Sequence, residues 1–360
     1  MTNILATELD DVVDRMEPLW EEMRRERIFV TGGTGFLGTW LLESFLHANR
    51  RLNLKARAHV LTRNPEAFEK RAPHLVTDSI TFSRGTLDDF KTPRGTFAAV
   101  IHAAADVGSR ASALPKAPLN SWKTLVAGTE RVLEAASRVG AQKFLLMSSG
   151  AVYGTQPVSL THIPETYQGA PDVNEISSVY GEGKRAAEML CVVLGTASGV
   201  QCKIARLFAC VGPWQPIDSY FAIGNFIRDV LNGHLPRISG DGRPYRSYLY
   251  AADAAVWLWT ILFRGAPNEP YNVGSEREIT IAETAKLVAR CAGLNPGSMN
   301  TCAQVNFDSC PRYVPDTSKA REQLGLTQQV PLKEAIIRTL EWHRHARGRR
   351  NRIPCQSYTG

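Results

Sequence analysis

Tyr180 and Lys184 stand four residues apart in Ser-Val-Tyr-Gly-Glu-Gly-Lys, a separation that on a helix brings both side chains to one face. A neighbouring ammonium favours the phenolate form of a phenol. Such a pair can take a proton from a sugar hydroxyl, or give one to a carbonyl oxygen, while a hydride moves. The spacing by itself is common among helices, so its meaning depends on what the chain sets beside it. Upstream, Ser149 closes the apolar run Lys143-Phe144-Leu145-Leu146-Met147, which reads as a buried strand. In parallel sheets ligands sit outside the carboxyl ends of strands, so a hydroxyl there is placed to hydrogen-bond the reacting oxygen. The plainer role for Ser148 and Ser149 is to cap the following turn.

Two further segments lead to the same place. Arg27-Ile28-Phe29-Val30 is followed by Thr31-Gly32-Gly33-Thr34-Gly35-Phe36-Leu37-Gly38, and then Trp40, Leu41, Leu42, Phe45 and Leu46 recur at helical spacing. Strand, glycine-rich turn and helix in that order form a phosphate-binding unit. Gly32 and Gly35 would let the backbone approach a pyrophosphate, and Gly38 would let the helix pack closely on the strand. Ala99-Val100-Ile101 reads as a second buried strand, entering His102-Ala103-Ala104-Ala105-Asp106, whose small residues leave room for a cofactor.

The elements that must position these groups follow from length and pattern. A chain of 360 residues can bury one large core or two modest ones. Strand–helix alternation up to residue 205 implies an α/β fold, a Rossmann-type doubly wound parallel sheet. The Gly-Pro-punctuated remainder implies a smaller mixed α/β substrate-binding region. The expected division is a helical extension over 1–26, a dinucleotide-binding domain over 27–205 to which later segments return, a mainly substrate-binding region over 206–342, and a basic flexible tail over 343–360. Leu5, Leu9, Val12, Val13, Met16 and Leu19 give the extension an apolar face for the domain or a partner subunit.

Composition narrows the function classes. The seven cysteines show no Cys-x-x-Cys, and histidines do not pair at ligand spacing, so reduced thiols and no metal are expected. No basic-then-apolar leader and no run of membrane-spanning length is visible, which favours the cytoplasm and no membrane partner. The net charge of +7 is uneven: Arg344, Arg347, Arg349, Arg350 and Arg352 crowd the tail, while Glu8 to Glu26 is rich in acids. Such a tail reads as a solvated end, and no nucleic-acid partner is expected.

Taken together, these segments resemble the extended short-chain dehydrogenase/reductase family, in particular its nucleotide-sugar epimerases, dehydratases and reductases. The matching stretches are Thr31 to Gly38, His102 to Ala105, Ser148 to Gly154, Tyr180 to Lys184, and Arg206 with Gly212-Pro213. Further on come Gly240-Asp241-Gly242 with Arg246-Ser247-Tyr248, then Tyr271 to Gly274, and Pro315 to Ala320. The resemblance implies a catalytic set of Ser149, Tyr180 and Lys184, with Lys184 also holding the nicotinamide ribose. It implies cofactor contacts from Gly32, Thr34, Gly35, Phe36, Leu37, Ala103, Ala104 and Ala105. Leu87 and Asp88 fall where the family places adenine contacts, although its usual Asp is Thr86 here. By the same resemblance Val107 and Ser109 border the hexose, and Arg246 and Arg312 face the nucleotide diphosphate, with Asn225 a further candidate. Arg312 is the better placed of the two for a plain salt bridge. A homodimer pairing helices over 119–139 and 179–198 is also implied. Two positions depart from the family: Leu125 and Ala209 each stand where relatives often have Asn.

Cofactor and reaction are read from single positions. A carboxylate at the end of the second strand would bind the adenosine ribose hydroxyls. Here Ala58-His59-Val60-Leu61 ends in Thr62-Arg63-Asn64-Pro65, and Arg63 suits a 2′-phosphate, which favours NADP(H) over NAD(H). The family's dehydratases carry an Asp-Glu pair immediately after the catalytic hydroxyl residue, and Gly150 and Ala151 hold those places. Neither can carry a proton, which argues against 4,6-dehydration. The expected activity is reduction of a nucleotide-linked 4-keto-(6-deoxy)hexose with Tyr180 as acid/base. A nucleotide-sugar epimerase with tightly bound NAD is the alternative, and a catalytically silent nucleotide-binding protein the remaining one.

Overall fold

The computed structural model describes residues 4–105, 117–218, 221–299 and 310–350. Six strands come first: β1 (Arg27–Thr31), β2 (Arg57–Thr62), β3 (Ile80–Arg84), β4 (Ala99–His102), β5 (Lys143–Ser149) and β6 (Gln201–Leu207). The short strands β7 (Cys210–Val211), β8 (Tyr245–Arg246) and β9 (Leu249–Tyr250) follow, and then β10 (Pro270–Val273), β11 (Ile279–Thr280) and β12 (Arg312–Tyr313). Seven strands pair in parallel in the spatial order β3-β2-β1-β4-β5-β6-β10. The order reverses between β1 and β4, and in a sheet of this kind ligands bind in the crevice at that point.

Helices cover both faces, which is why the strands are apolar at successive positions. They are α1 (Ala6–Arg15), α2 (Glu17–Trp20), α3 (Phe36–Arg51), α4 (Pro65–Arg71), α5 (Ala117–Arg138), α6 (Val179–Ser198), α7 (Ala222–Leu231), α8 (Ala251–Arg264), α9 (Ile281–Cys291), α10 (Ser318–Leu324) and α11 (Leu332–Arg350). Ile28, Val30, Ile101, Leu145 and Met147 join the core under α1, α3 and α8. Their alternates Phe29, Val100, Phe144 and Leu146 join the core under α5 and α6. The fold is therefore the Rossmann-type doubly wound sheet that the alternation implied, with a smaller mixed region made from β8, β11, β12, α7 and α9.

The N-terminal segment packs on its own domain. Leu5, Leu9, Val12, Val13, Met16 and Trp20 are buried, and the Trp20 ring lies 5.1 Å from Trp259 of α8. Charges fix the register: Asp10 accepts from His47 at 2.8 Å, and Arg15 meets the buried Asp253 at 2.8 Å. At the other end α11 continues to Arg350, and Arg347 donates to the Leu231 carbonyl at the end of α7 at 2.9 Å.

Candidate active site

The glycine loop is shaped by contacts between backbones. Gly32 has φ +71°, and a Cβ there would stand 2.4 Å from the Ala104 nitrogen. A Cβ on Gly38 would stand 2.3 Å from the Gly32 carbonyl oxygen. The loop thus lies flat against the end of β4, with Ala103, Ala104 and Ala105 half-buried beside it. Gly35 precedes the first turn of α3, so the amides of Phe36 and Leu37 lack partners inside the helix and can meet an anion. Thr34 and Thr62 hydroxyls meet at 3.1 Å, joining the loop to the end of β2. This cradle fits a dinucleotide, whose pyrophosphate needs the close approach that side chains would block.

At the end of β2 Arg63 is exposed and has no ion pair among the described residues; its neighbour Glu66 is taken by Arg84. Arg71, which the sequence reading missed, donates to the Thr34 carbonyl at 2.5 Å and has its guanidinium 5.7 Å from the Trp214 ring. Leu87 is buried, with its Cβ 2.9 Å from where a Cβ on Gly128 would stand, while Asp88 is exposed and its carbonyl accepts from Arg131. His102 is structural. The Thr129 hydroxyl gives its hydrogen to the Leu125 carbonyl, so His102 Nε2 donates to Thr129 and Nδ1 accepts from Thr31 at 2.6 Å. Burial, with Lys184 nearby, lowers His102 to about 3 and keeps it neutral.

The expected catalytic set of Ser149, Tyr180 and Lys184 lies where β5 ends against α6. Ser149 caps the turn Gly150–Tyr153 by accepting from the Ala151 amide at 3.1 Å, as the plainer reading had it. The same hydroxyl interacts with the phenol of Tyr180, so capping and a place in the site coexist. Lys184, one turn on, is 2 % exposed and donates to the Met147 carbonyl at 2.7 Å. Burial lowers its ammonium to about 8 against the pull of Glu188. Burial raises the Tyr180 phenol, and the hydrogen bond from Ser149 opposes this. The sequence-based expectation that Lys184 favours the phenolate is not what sets this group: desolvation dominates, and the ammonium is engaged by a carbonyl.

Packing explains the departures around this set. A Cβ on Gly150 would stand 2.6 Å from the Phe208 ring, so Phe208 fills the space an acidic side chain would need. Leu125, where relatives have Asn, presses on α6 at Gly183, whose Cβ would lie 2.8 Å from its methyl carbon. An apolar contact therefore supports α6 at this point. Beneath it Glu188 accepts from Ser148 at 2.5 Å and from Arg206 at 2.6 Å, and the Arg206 guanidinium lies 4.8 Å from the Tyr153 ring. Arg206 belonged to the motif set, but its carboxylate partner, one turn beyond Lys184, was not read from the sequence.

The C-terminal region closes the other side. Strand β8 lies between β11 and β12, with Arg246 in register with Tyr313. The Arg246 guanidinium is 5.9 Å from the Tyr313 ring and has no carboxylate partner among the described residues. Arg312 differs: it is paired with Glu278 and lies 4.2 Å from the Tyr245 ring. Asn225 accepts from Arg228 at 3.0 Å and lines a cavity of about 440 Å³ with Phe226, Ile238 and Pro244. That volume suits a small-molecule ligand. Exposed Arg237, also on its wall, was missed by the sequence reading. From Pro244 the chain leads directly into β8, but neither Arg246 nor Ser149, Tyr180 or Lys184 lines this cavity. Val107 and Ser109 lie outside the described residues. Among the described residues no group of three His, Cys, Asp or Glu could hold a metal ion, and no helix is long and apolar enough to cross a membrane.

Comparison with known proteins agrees with this geometry. UDP-glucuronic acid decarboxylase 1 of Arabidopsis thaliana is 32% identical over 330 residues, covering 88% of this chain and 69% of that protein. Among solved structures, the UDP-glucose 4-epimerase of Thermotoga maritima with UDP-glucose aligns with TM-score 0.72 at 24% identity, over 89% of this chain and 99% of that one. The dTDP-glucose 4,6-dehydratase of Streptomyces venezuelae with NAD and TYD bound aligns with TM-score 0.75 at 24% identity, over 89% and 98%. These structures share the fold. The model of the NAD dependent epimerase/dehydratase family matches residues 28–274, and this chain belongs to that family.

Proposed function

We propose that this enzyme reduces the keto group of a nucleotide-linked 4-keto-6-deoxyhexose, with NADPH as reductant. The observation that carries this reading is Arg63 at the end of β2, exposed and without an ion pair among the described residues, where a carboxylate would otherwise bind the ribose hydroxyls. Arg63 and Arg71 together offer a 2′-phosphate two guanidinium groups, and a cofactor recognised this way exchanges with the reduced cellular pool. The cradle of Gly32, Thr34, Gly35, Phe36, Leu37 and Ala103 to Ala105 would hold the pyrophosphate and the adjoining groups. The bound nicotinamide supplies the hydride.

The chain's own residues then handle the oxygen. Ser149 hydrogen-bonds it, and Tyr180 gives it a proton, so that C=O becomes CH–OH. Burial keeps the Tyr180 phenol protonated at neutral pH, which suits a proton donor. Lys184 holds the cofactor ribose and keeps α6 against the end of β5. Gly150 and Ala151 supply no acid for elimination, and Phe208 excludes one. Arg246 and the cavity beside Asn225 and Arg237 would receive the diphosphate and nucleoside. Arg312 would have to leave Glu278 to join them.

The similarity to UDP-glucuronic acid decarboxylases favours a second reading, a redox-neutral reaction on a retained NAD. A ketone at C4 makes a C6 carboxylate β to a carbonyl, and such an acid loses CO2 without a neighbouring Asp or Glu. Epimerisation through the same ketone needs no further acid either. Identification of the nucleotide released on denaturing the purified protein separates the two. An emptied site that binds NADPH supports the reductase; stoichiometric NAD overturns it.

We further infer a homodimer through α5 and α6, on which Leu119, Trp122, Met189 and Val193 are 40–63% exposed. A cytoplasmic location is part of the same inference, supported by scattered cysteines that suit reduced thiols.

A further inference from the structure

Arg71 ends α4 and reaches back to the glycine loop. Its Nη2 donates to the Thr34 carbonyl at 2.5 Å and stands 3.4 Å from the Thr39 hydroxyl, which donates to the Gly35 carbonyl at 2.6 Å. A peptide group is planar and trans, so the carbonyl of Thr34 and the amide of Gly35 point in opposite directions. The Gly35 amide donates to the Gly32 carbonyl at 3.0 Å. One peptide is therefore gripped from both edges, by the loop's own turn and by Arg71. The donor from Arg71 is charged, and hydrogen bonds from an ionised donor are the stronger kind. The amides that lack helical partners, those of Phe36 and Leu37, come directly after this peptide, so its orientation sets theirs.

The guanidinium is itself held by rings. Phe68, one turn earlier on α4, lies 5.2 Å from it and Trp214 lies 5.7 Å from it. Trp214 has φ +69°, a left-handed conformation that a bulky residue keeps only where its surroundings fix it. Those surroundings come from both parts of the chain. The Trp342 ring of α11 is 4.8 Å away and the His74 ring is stacked at 6.2 Å, while Trp40 of α3 donates its indole N–H to the adjoining Pro213 carbonyl at 2.9 Å. His74 is fixed in turn by the buried Glu43 of α3 at 2.8 Å. We propose that Arg71 is a positioning residue for the cofactor: held by Trp214, it locks the Thr34–Gly35 peptide so that the amides opening α3 face the pyrophosphate. The bond goes to the loop, so it serves any dinucleotide, with or without a 2′-phosphate. Through Trp214 the segment that follows β7 takes part in holding the cofactor loop.

The role of Arg71 rests on the reading that the glycine loop holds a dinucleotide, whichever dinucleotide that is. Full-length wild type, Arg71→Met, Arg71→Lys, Trp214→Leu and the Arg71→Met/Trp214→Leu double variant, freed of nucleotide, are titrated with NADH and with NADPH, and their melting temperatures without nucleotide are recorded. Arg71→Met should raise the Kd for NADH about tenfold and that for NADPH at least as much, with the melting temperature within about 2 °C of wild type. Lys can reach the carbonyl but has no planar face to lay against Trp214, so Arg71→Lys should recover part of both losses. Trp214→Leu keeps apolar bulk without a ring; it should raise both Kd values about threefold, and by less than about twofold once Arg71 is already Met. A loss confined to NADPH would show Arg71 acting on the 2′-phosphate alone and overturns the inference, as does an unchanged Kd for NADH in Arg71→Met. A fallen melting temperature with no recovery by Lys, or a Trp214→Leu loss that multiplies independently of Arg71, overturns it too. Wild-type protein that binds neither nucleotide would instead remove the dinucleotide reading of the loop, and the inference with it.

Discussion

The two ends of the crevice are built by different means. At the glycine loop backbone meets backbone: the places where a Cβ on Gly32 or Gly38 would sit are within 2.4 Å of main-chain atoms. At the sugar end the contacts are between side chains from distant segments, with Ser149, Tyr180, Phe208, Arg246 and Tyr313 converging from five elements or loops. Holding a dinucleotide demands close approach whatever the chemistry, so the first end tolerates no added carbon. The choice of reaction depends on which side chains surround one oxygen, so the second end can change its chemistry while the fold stays.

Changes at the two ends should therefore fail differently. Tyr180→Phe should lower turnover by about 10²- to 10⁴-fold while leaving cofactor affinity and melting temperature near wild type. Near-normal turnover would erase the distinction at the sugar end. Gly38→Ala should do the reverse, weakening cofactor binding and destabilising the fold by at least about 1–3 kcal/mol, as measured by chemical denaturation and nucleotide titration.

A third change tests burial at the junction between the two ends. Lys184 is charged in both folded and unfolded chains below pH 8, so the folded state carries the whole cost of its burial there. Between pH 8 and 10.5 the folded chain releases the proton first, and the stability contributed by this residue rises with pH. Compared with Lys184→Met, wild type should gain about 3 kcal/mol over that window. A pH-independent difference would show that the ammonium is not desolvated. Gly150→Asp should cost about 1–3 kcal/mol through contact with Phe208, and Phe208→Ala should recover part of it. The smallest effect is expected at Arg312, already paired with Glu278: Arg312→Ala should raise KM much less than Arg246→Ala.

The same division governs what the sequence could convey. The alternation of Ile28, Phe29 and Val30 shows a strand buried on both faces, and Gly32 to Gly38 shows the turn that follows, because both are local patterns. Tyr180 and Lys184 are legible for the same reason. Gly150 could be read as a missing acid, but only the position of Phe208 shows why one cannot fit. Leu125 could be read as a lost amide, and only Gly183 facing it shows what replaces the support. Leu87 had the right place in the chain for an adenine contact, yet its side chain is buried against α5. Tyr313 carried no local signal beyond standing beside Arg312; its packing on Phe208 depends on how β12 docks against β8 and Ile163.

The central claim is that this site performs net reduction with an exchangeable cofactor. It is tested most directly by mixing the purified enzyme with NADPH and a nucleotide-linked 4-keto-6-deoxyhexose and following the reduced nicotinamide absorbance together with the sugar product. Stoichiometric loss of NADPH with formation of the 4-hydroxy sugar is expected. A nucleotide sugar converted with no net consumption of NADPH, by protein that releases NAD on denaturation, would contradict it.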